Sequence, residues 1–248
     1  MSDADIRKEA AKRSRRAFLT LGAGAVGVIG GWSWLNRGKG LTGIAPAFRS
    51  VLDANETVAR GTLFSDSHLA PQFAASEIQE MRVNGSEGLD DAIDSATWRL
   101  QLTPRGEKAV SREFTIDEIR AMPRVEHITS LKCIEGWSVV TQWAGVRLSD
   151  FVKKHAPGSE QAGYVGLATP DDEYNVGVDM PSAMHPQTLL CYEMNGKPLT
   201  PEHGAPLRLV IPVKYGVKNI KRIGTIAFAD QRPPDFWANL GYDYYCGL

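Results

Sequence analysis

HGAPLRLVIPVKYGVKNIKRIGTIAFA, His203 to Ala229, is the stretch on which the fold turns. It opens with one strand candidate, PLRLVIP, and closes with another, IGTIAFA. Both are rich in β-branched and apolar residues and are bounded by glycine or proline, as short strands are. Between them a turn around Gly216 carries Lys214, Lys218 and Lys221, and Arg208 precedes it. Outward from there, TWRLQL alternates apolar and polar residues like a half-buried strand, and RVEHITSLKC and YVGLAT are further strand candidates. FTIDEIRAM supplies Thr115 and, three residues on, Glu118, the two halves of a capping box opening a short helix that Pro123 stops. Ser149 to His155 reads as another helix, capped by Ser149. Strands outnumber helices without regular alternation, so the expected class is α+β with a mostly antiparallel or mixed sheet, not a doubly wound one.

The 248 residues suffice for one large domain or two small ones. Hydrophobic residues at 43% and charged residues at 23% describe an ordinary globular protein. The net charge of −1 conceals an asymmetry: residues 1–47 hold eight Lys/Arg and three acids, leaving 20 basic and 26 acidic residues, net −6, for the rest. A body that acidic excludes non-specific nucleic-acid binding, which needs a basic face. Any anion must be held by a local basic cluster. Cys133, Cys191 and Cys246 are odd in number and far from CxxC spacing, so at least one thiol stays free or binds something.

Residues 1–47 read as an address. Ala17 to Leu35 carries no charge and follows a basic stretch, the layout of an export signal. Arg15-Arg16, with Ser14 before and Phe18-Leu19 after, resembles the twin-arginine signal. That implies export to the periplasm by the twin-arginine machinery, a route associated with proteins folded around a cofactor. Two fates stay open for the segment. It is cut near Ala45-Pro46-Ala47, or residues 17–35 stay as an inner-membrane anchor, since ~20 mainly apolar residues span a bilayer.

Cys133, in TSLKCIEGW, sits among Lys132, Glu135, Trp137 and Ser138. A strand cysteine is ordinarily a small buried hydrophobe. A polar setting with a nearby cation instead favours the thiolate that serves as ligand or nucleophile. Spacing alone leaves both open. The basic group Arg208, Lys214, Lys218 and Lys221 is a solvated edge strand, or an anion site in which turn amides and the planar Arg208 fork hold a phosphate. His203, five residues before Arg208, is a plain loop histidine or a member of that site. His127, His155 and His185 are too scattered for a metal set. No P-loop follows a strand, and GAGAVG lies inside the export segment, so nucleotide cofactors have no support.

Taken in order, KCIEGWSVVTQWAGVRLSDFV, YVGLAT, the segment AMHPQTLLCYEMNGKPLTPEHGAPLRLVIPVKYGVKNIKRIGTIAF and RPPDFWANLGY resemble the molybdopterin domain of the sulfite oxidase superfamily. The Cys-x-Glu-x-Trp-Ser context resembles most the catalytic subunits of bacterial periplasmic protein-methionine-sulfoxide reductases. The resemblance implies a sulfite-oxidase-type fold with mixed sheets and short helices, and a cofactor of molybdenum with molybdopterin. It implies Cys133 as the thiolate ligand of the metal. His203 and Arg208, with Asn219, Ile220 and Lys221 in the turn, would hold the pterin and its phosphate, and Thr169 falls where the reductases have a cofactor-contacting threonine. Two departures stand out: the reductases' N-terminal Asn-x-x-Tyr-Glu motif has no clear counterpart, NETVAR at Asn55 being too divergent, and the arginine after the ligand cysteine of sulfite oxidases is absent.

The organisation expected is a signal or anchor over 1–47, a loosely structured lead-in over 48–81 and an oxidoreductase domain over 82–248. The activity expected is two-electron oxygen-atom transfer to or from a small or protein-bound substrate, sulfoxide-reductase-like, with electrons from a haem-containing membrane or periplasmic partner. The alternatives are a dehydrogenase for sulfite or another small substrate, delivering electrons to a cytochrome, and a non-catalytic binding module of the same fold. Glu135, Trp137, Trp143, Asp179 and His185 are the candidates for setting specificity.

Overall fold

Ten strands and five helices follow one another between Pro46 and Leu248 in the computed structural model. It describes residues 46–248, apart from 63, 66, 90–92, 107 and 108, and four isolated positions between 27 and 33. Most of the segment that reads as an export signal or anchor thus lies outside the described residues. Among the described residues, no helix is long and apolar enough to cross a membrane. Residues 1–52 and 53–248 fall into separate units, and the site belongs to the second.

Helix α1 spans Pro46–Thr62. Strands β1 (Leu100–Thr103) and β2 (Arg112–Phe114) pair antiparallel, and α2 (Ile116–Arg120) follows. The capping box forms as the sequence predicts, Thr115 and Glu118 satisfying each other's backbone N–H. Then come β3 (Val125–Lys132), β4 (Ser138–Arg147), α3 (Leu148–His155), β5 (Tyr164–Ala168), β6 (Asn175–Asp179) and α4 (Met180–Ala183). The chain continues through β7 (Leu189–Met194), β8 (Lys197–Pro198), β9 (Arg208–Val210), β10 (Thr225–Ala229) and α5 (Phe236–Asn239). One sheet runs β2-β1-β10-β5-β6, and the other β3-β4-β7-β8 with β9 also on β7. Only β1 and β10 pair in parallel, so the mixed, mostly antiparallel expectation holds.

The apolar run at β7 explains the layering. Leu190 and Tyr192 join the main core with Leu209 and Ile211, while Leu189 and Cys191 face a second cluster with Val210, Val139, Trp143 and Met81. A strand covered on both faces reads as a continuous apolar run, without alternation. The main core fills the space between the first sheet (Leu100, Leu102, Val165, Leu167, Ile226) and α3 (Leu148, Phe151, Val152).

Two local expectations are corrected. Ser149 does not cap α3: the N-cap is Arg147, with no side-chain cap bond, and Ser149 is buried in the first turn. The lead-in is ordered rather than loose. Beyond α1, it lays Gln72 and Phe73 against β3 and Gln79 against Val140 of β4 through main-chain contacts. It has little apolar periodicity to advertise because it borrows its hydrogen bonds from a sheet edge.

Candidate functional site

Cys133 heads the hairpin that joins β3 to β4. Its N–H donates to Trp137 O at 2.9 Å, and its own C=O accepts from Gly136 N at 3.1 Å. Gly136 closes the turn at φ +88°, a conformation that costs a residue with a side chain but not glycine. The thiol is therefore aimed by backbone geometry. It is half-buried in a cleft that opens to solvent. Asn84 Nδ2 points at Cys133 Sγ from 3.9 Å. The other two cysteines are buried, and burial pushes both thiols up to about 12. They are inert small hydrophobes, and Cys133 alone of the three lines this cleft.

The floor of the cleft is the segment quoted at the outset. Arg208 is buried on β9, with its guanidinium 4.9 Å above the Trp143 ring. One terminal nitrogen donates to His203 O at 3.1 Å and the other to Asn219 O at 3.3 Å. Its Nε has no protein partner. Asn219 holds the turn by accepting from Ile211 N at 2.8 Å and donating to Tyr215 O at 3.1 Å. Gly204, at φ +93°, lets the His203 turn lie against Lys221: a Cβ there would come within 2.8 Å of Lys221 Cβ and 2.9 Å of Arg222 N. Lys221 Nζ donates to Asn84 O and Gly85 O at 2.8 and 2.9 Å, tying the segment just after the lead-in to the cleft.

Three basic side chains thus share one basin, with Glu87 and Glu202 near Lys221. Burial, then Arg208 and Lys221, hold His203 below its ordinary range. Burial, then Arg208, push Lys221 down to about 8, and burial alone takes Arg208 down to about 10. Basic groups whose charged forms burial disfavours, one with an orphaned N–H, suit an anion.

The sequence candidates separate accordingly. Cys133, His203, Arg208, Asn219 and Lys221 come together in the cleft. Ile220 buries its side chain in the core and offers only main chain, its C=O accepting from Leu209 N. Thr169 is buried behind Gly88, and its hydroxyl is engaged with Asp171 and Tyr174. Lys214 and Lys218 leave the proposed cationic group for structural duty. Lys214 pairs with Asp179 at 2.8 Å and Lys218 with Asp235, all four buried. Of the specificity candidates, Glu135 and Trp137 line the cleft and Trp143 lies beneath Arg208. Asp179 caps α4, and His185 is fully buried against Phe64.

Sequence reasoning missed Arg82, Asn84 and Glu87 on one side of the cleft and Tyr174, Trp237 and Tyr242 on the other. Trp237 Nε1 donates to Tyr174 Oη at 3.0 Å, and that hydroxyl donates to Val217 O at 2.8 Å, fixing this wall. The Asn-Gly pair at 84–85 is the available signal: a turn sequence with an acid three residues after the asparagine.

The family model of the oxidoreductase molybdopterin binding domain matches residues 87–237. The chain belongs to this family, and is a molybdenum-dependent oxidoreductase whose cofactor is molybdenum with molybdopterin. It is 32% identical to an Azospira oryzae protein provisionally named protein-methionine-sulfoxide reductase subunit YedZ1, over 98% of this chain and 91% of that one. It is 30% identical to the protein-methionine-sulfoxide reductase catalytic subunit MsrP of Campylobacter jejuni, over 98% and 83%. The MsrP of Xanthomonas campestris is 39% identical over 58% of this chain and 48% of its own. Among solved structures, the sulfane dehydrogenase SoxCD of Paracoccus pantotrophus shares the fold, at TM-score 0.52 and 20% identity over 57% of this chain and 40% of that one. The residues present fit the cofactor: a soft thiol for a soft-ligand metal beside a basic pocket whose Arg208 Nε awaits an acceptor.

Proposed function

We propose that the chain reduces sulfoxides, methionine sulfoxide first among them, with Cys133 as the metal's thiolate ligand. The observation that carries this is one cleft holding both the only non-core thiol and the basic trio His203, Arg208 and Lys221, with a donor of Arg208 left unpaired. The likeness to named methionine-sulfoxide reductases sets the direction. When bound, the cofactor supplies two-electron oxygen-atom transfer.

The chain's own groups do the rest. His203, Arg208 and Lys221, with the main chain at Asn219 and Ile220, hold the pterin and its phosphate. Thr169 acts from behind, packed on Gly88 of the covering segment. Asn84 donates toward the sulfur and tempers its charge. Trp137 and the fixed Tyr174–Trp237 wall line the cleft with aromatic faces. Burial raises the Tyr174 hydroxyl, and its bond to Val217 O keeps the proton, so Tyr174 is a wall and not an acid. Electrons come from a haem-containing membrane or periplasmic partner; a relative named as a catalytic subunit supports a further subunit. The twin-arginine pattern at Arg15-Arg16 supports export to the periplasm, with residues 17–35 removed or kept as an anchor.

Protein from molybdate-fed cells should contain about one molybdenum per chain and turn over methionine sulfoxide with reduced viologen. Cys133→Ser should lose both. A loaded protein inert toward sulfoxides sinks the reading. A second reading, oxidation of a small sulfur oxyanion, draws on Arg82 at the cleft mouth, which supplies the cation that the hairpin lacks. Sulfite-dependent ferricyanide reduction would favour it.

A further inference from the structure

Two opposite charges stand at the mouth of the cleft and do not meet. The Arg82 guanidinium carbon lies 5.4 Å from the centre of the Trp137 ring. Glu135 Oε2 accepts from Trp137 Nε1 at 2.9 Å. Both side chains are exposed, both line the cleft, and neither makes an ion pair among the described residues. The indole thus separates an anchored cation from an anchored carboxylate.

Their places relative to the reacting end are fixed by the chain. Arg82 lies two residues before Asn84, which faces the Cys133 sulfur, and Glu135 lies two residues after Cys133 in the hairpin. The Glu135 carboxylate is steered by the indole N–H, and stacking on the ring orients the planar guanidinium. Trp137 offers an apolar face beside them, suited to methylene and S-methyl groups.

Resting on the sulfoxide-reductase reading, we propose that Arg82, Glu135 and Trp137 form a specificity site for a zwitterionic amino-acid sulfoxide. Arg82 takes the α-carboxylate bidentately, Glu135 takes the α-ammonium, and the indole face carries the side chain toward the sulfur of Cys133. Both charges are held against one indole, the guanidinium over its ring and the carboxylate on its N–H, so one amino acid's α-substituents can find a hydrogen-bonding partner at each. Free methionine sulfoxide fits this site. A residue inside a polypeptide offers neither charge, and dimethyl sulfoxide offers only the oxygen.

The test uses loaded enzyme and four sulfoxides: free methionine sulfoxide, its N-acetyl form, its amide, and dimethyl sulfoxide. Arg82→Gln should cut the preference (ratio of kcat/KM) for the free amino acid over dimethyl sulfoxide about fivefold, the scale of one exposed charge contact, with the change in KM. Glu135→Gln should do the same. The N-acetyl form should not respond to Glu135→Gln, nor the amide to Arg82→Gln. Calorimetry with methionine sulfone, which carries both charges, reads the same site without turnover, and its Kd should weaken about fivefold in each variant. Unchanged preference and unchanged sulfone binding in both variants overturn the proposal. Charge-dependent sulfone binding without turnover of any sulfoxide upholds the site and overturns the reductase reading. Turnover without charge dependence does the reverse.

Discussion

Arg208 keeps one buried donor unsatisfied inside the cleft. Its two terminal nitrogens are spent on His203 O and Asn219 O, while Nε is orphaned over Trp143. A lysine would keep the charge but lose the fork that meets two carbonyls and still presents a donor to an anion. Charge-assisted bonds contribute about 1.5–3 kcal/mol each. Arg208→Lys should therefore remain folded and lose at least tenfold in molybdenum per chain at limiting cofactor, read by metal analysis. Full loading of that variant would show that the fork is not what the anion needs. At this scale the sequence was half legible. Arg208 and Lys221 were visible as candidates, yet nothing in VKYGVKNIK distinguishes Lys221 from Lys214 and Lys218. Only the fold supplies the buried acids Asp179 and Asp235 that take the latter two away.

The hairpin between β3 and β4 is the element that turns a strand cysteine into a site residue. Nothing lies within 4 Å of a Cβ built on Gly136, so a substitution there meets no clash and costs only the strain of φ +88°. Such strain is about 1–3 kcal/mol, most for β-branched side chains. Gly136→Val should lower urea stability by about that amount and reduce molybdenum content, because relaxing the turn re-aims the Cys133 thiol. Gly136→Ala should fall between. A valine variant with wild-type stability and loading would show that the turn does not aim the thiol. The strands themselves were legible: YVGLAT, PLRLVIP and IGTIAFA fall at β5, β9 and β10. Hairpin geometry was not, since CIEGW carries no Asn-Gly or Asp-Gly signal and its glycine works at the bulge position. The segment holding Arg82 and Asn84 escaped for a related reason. Its place in the cleft depends on main-chain pairing to β3 and β4, which leaves no apolar pattern behind.

For the whole molecule, the basin of cations links folding to cofactor loading. Lys221 faces Arg208, Glu87 and Glu202, and His203 faces Arg208, Lys221 and Glu202. In the empty protein, Lys221 sits at about 8, below the ordinary lysine range. Between pH 8 and about 10.4 the unfolded chain therefore holds a proton that the folded chain has released. Stability rises with pH wherever the unfolded state binds more protons, so this group makes the empty fold gain stability on going from pH 8 to 10, and lose it again as pH falls. His203, also lowered, acts the same way in its own, more acid range. An anion in the basin neutralises the repulsion and restores both groups toward their ordinary values, which removes that gain. Ion pairs away from the cleft, Lys214 with Asp179 among them, are common to both forms and cancel in the comparison. Loading stabilises the fold by mass action as well, at any pH. The melting-temperature gap between loaded and empty protein should thus be widest below pH 8 and narrow steadily toward pH 10. Parallel thermal scans of molybdenum-loaded and metal-free protein across that range would measure it, and in Lys221→Met the narrowing should largely vanish. A gap that stays constant with pH, or widens, would mean that the cations of this basin do not hold the cofactor's charge.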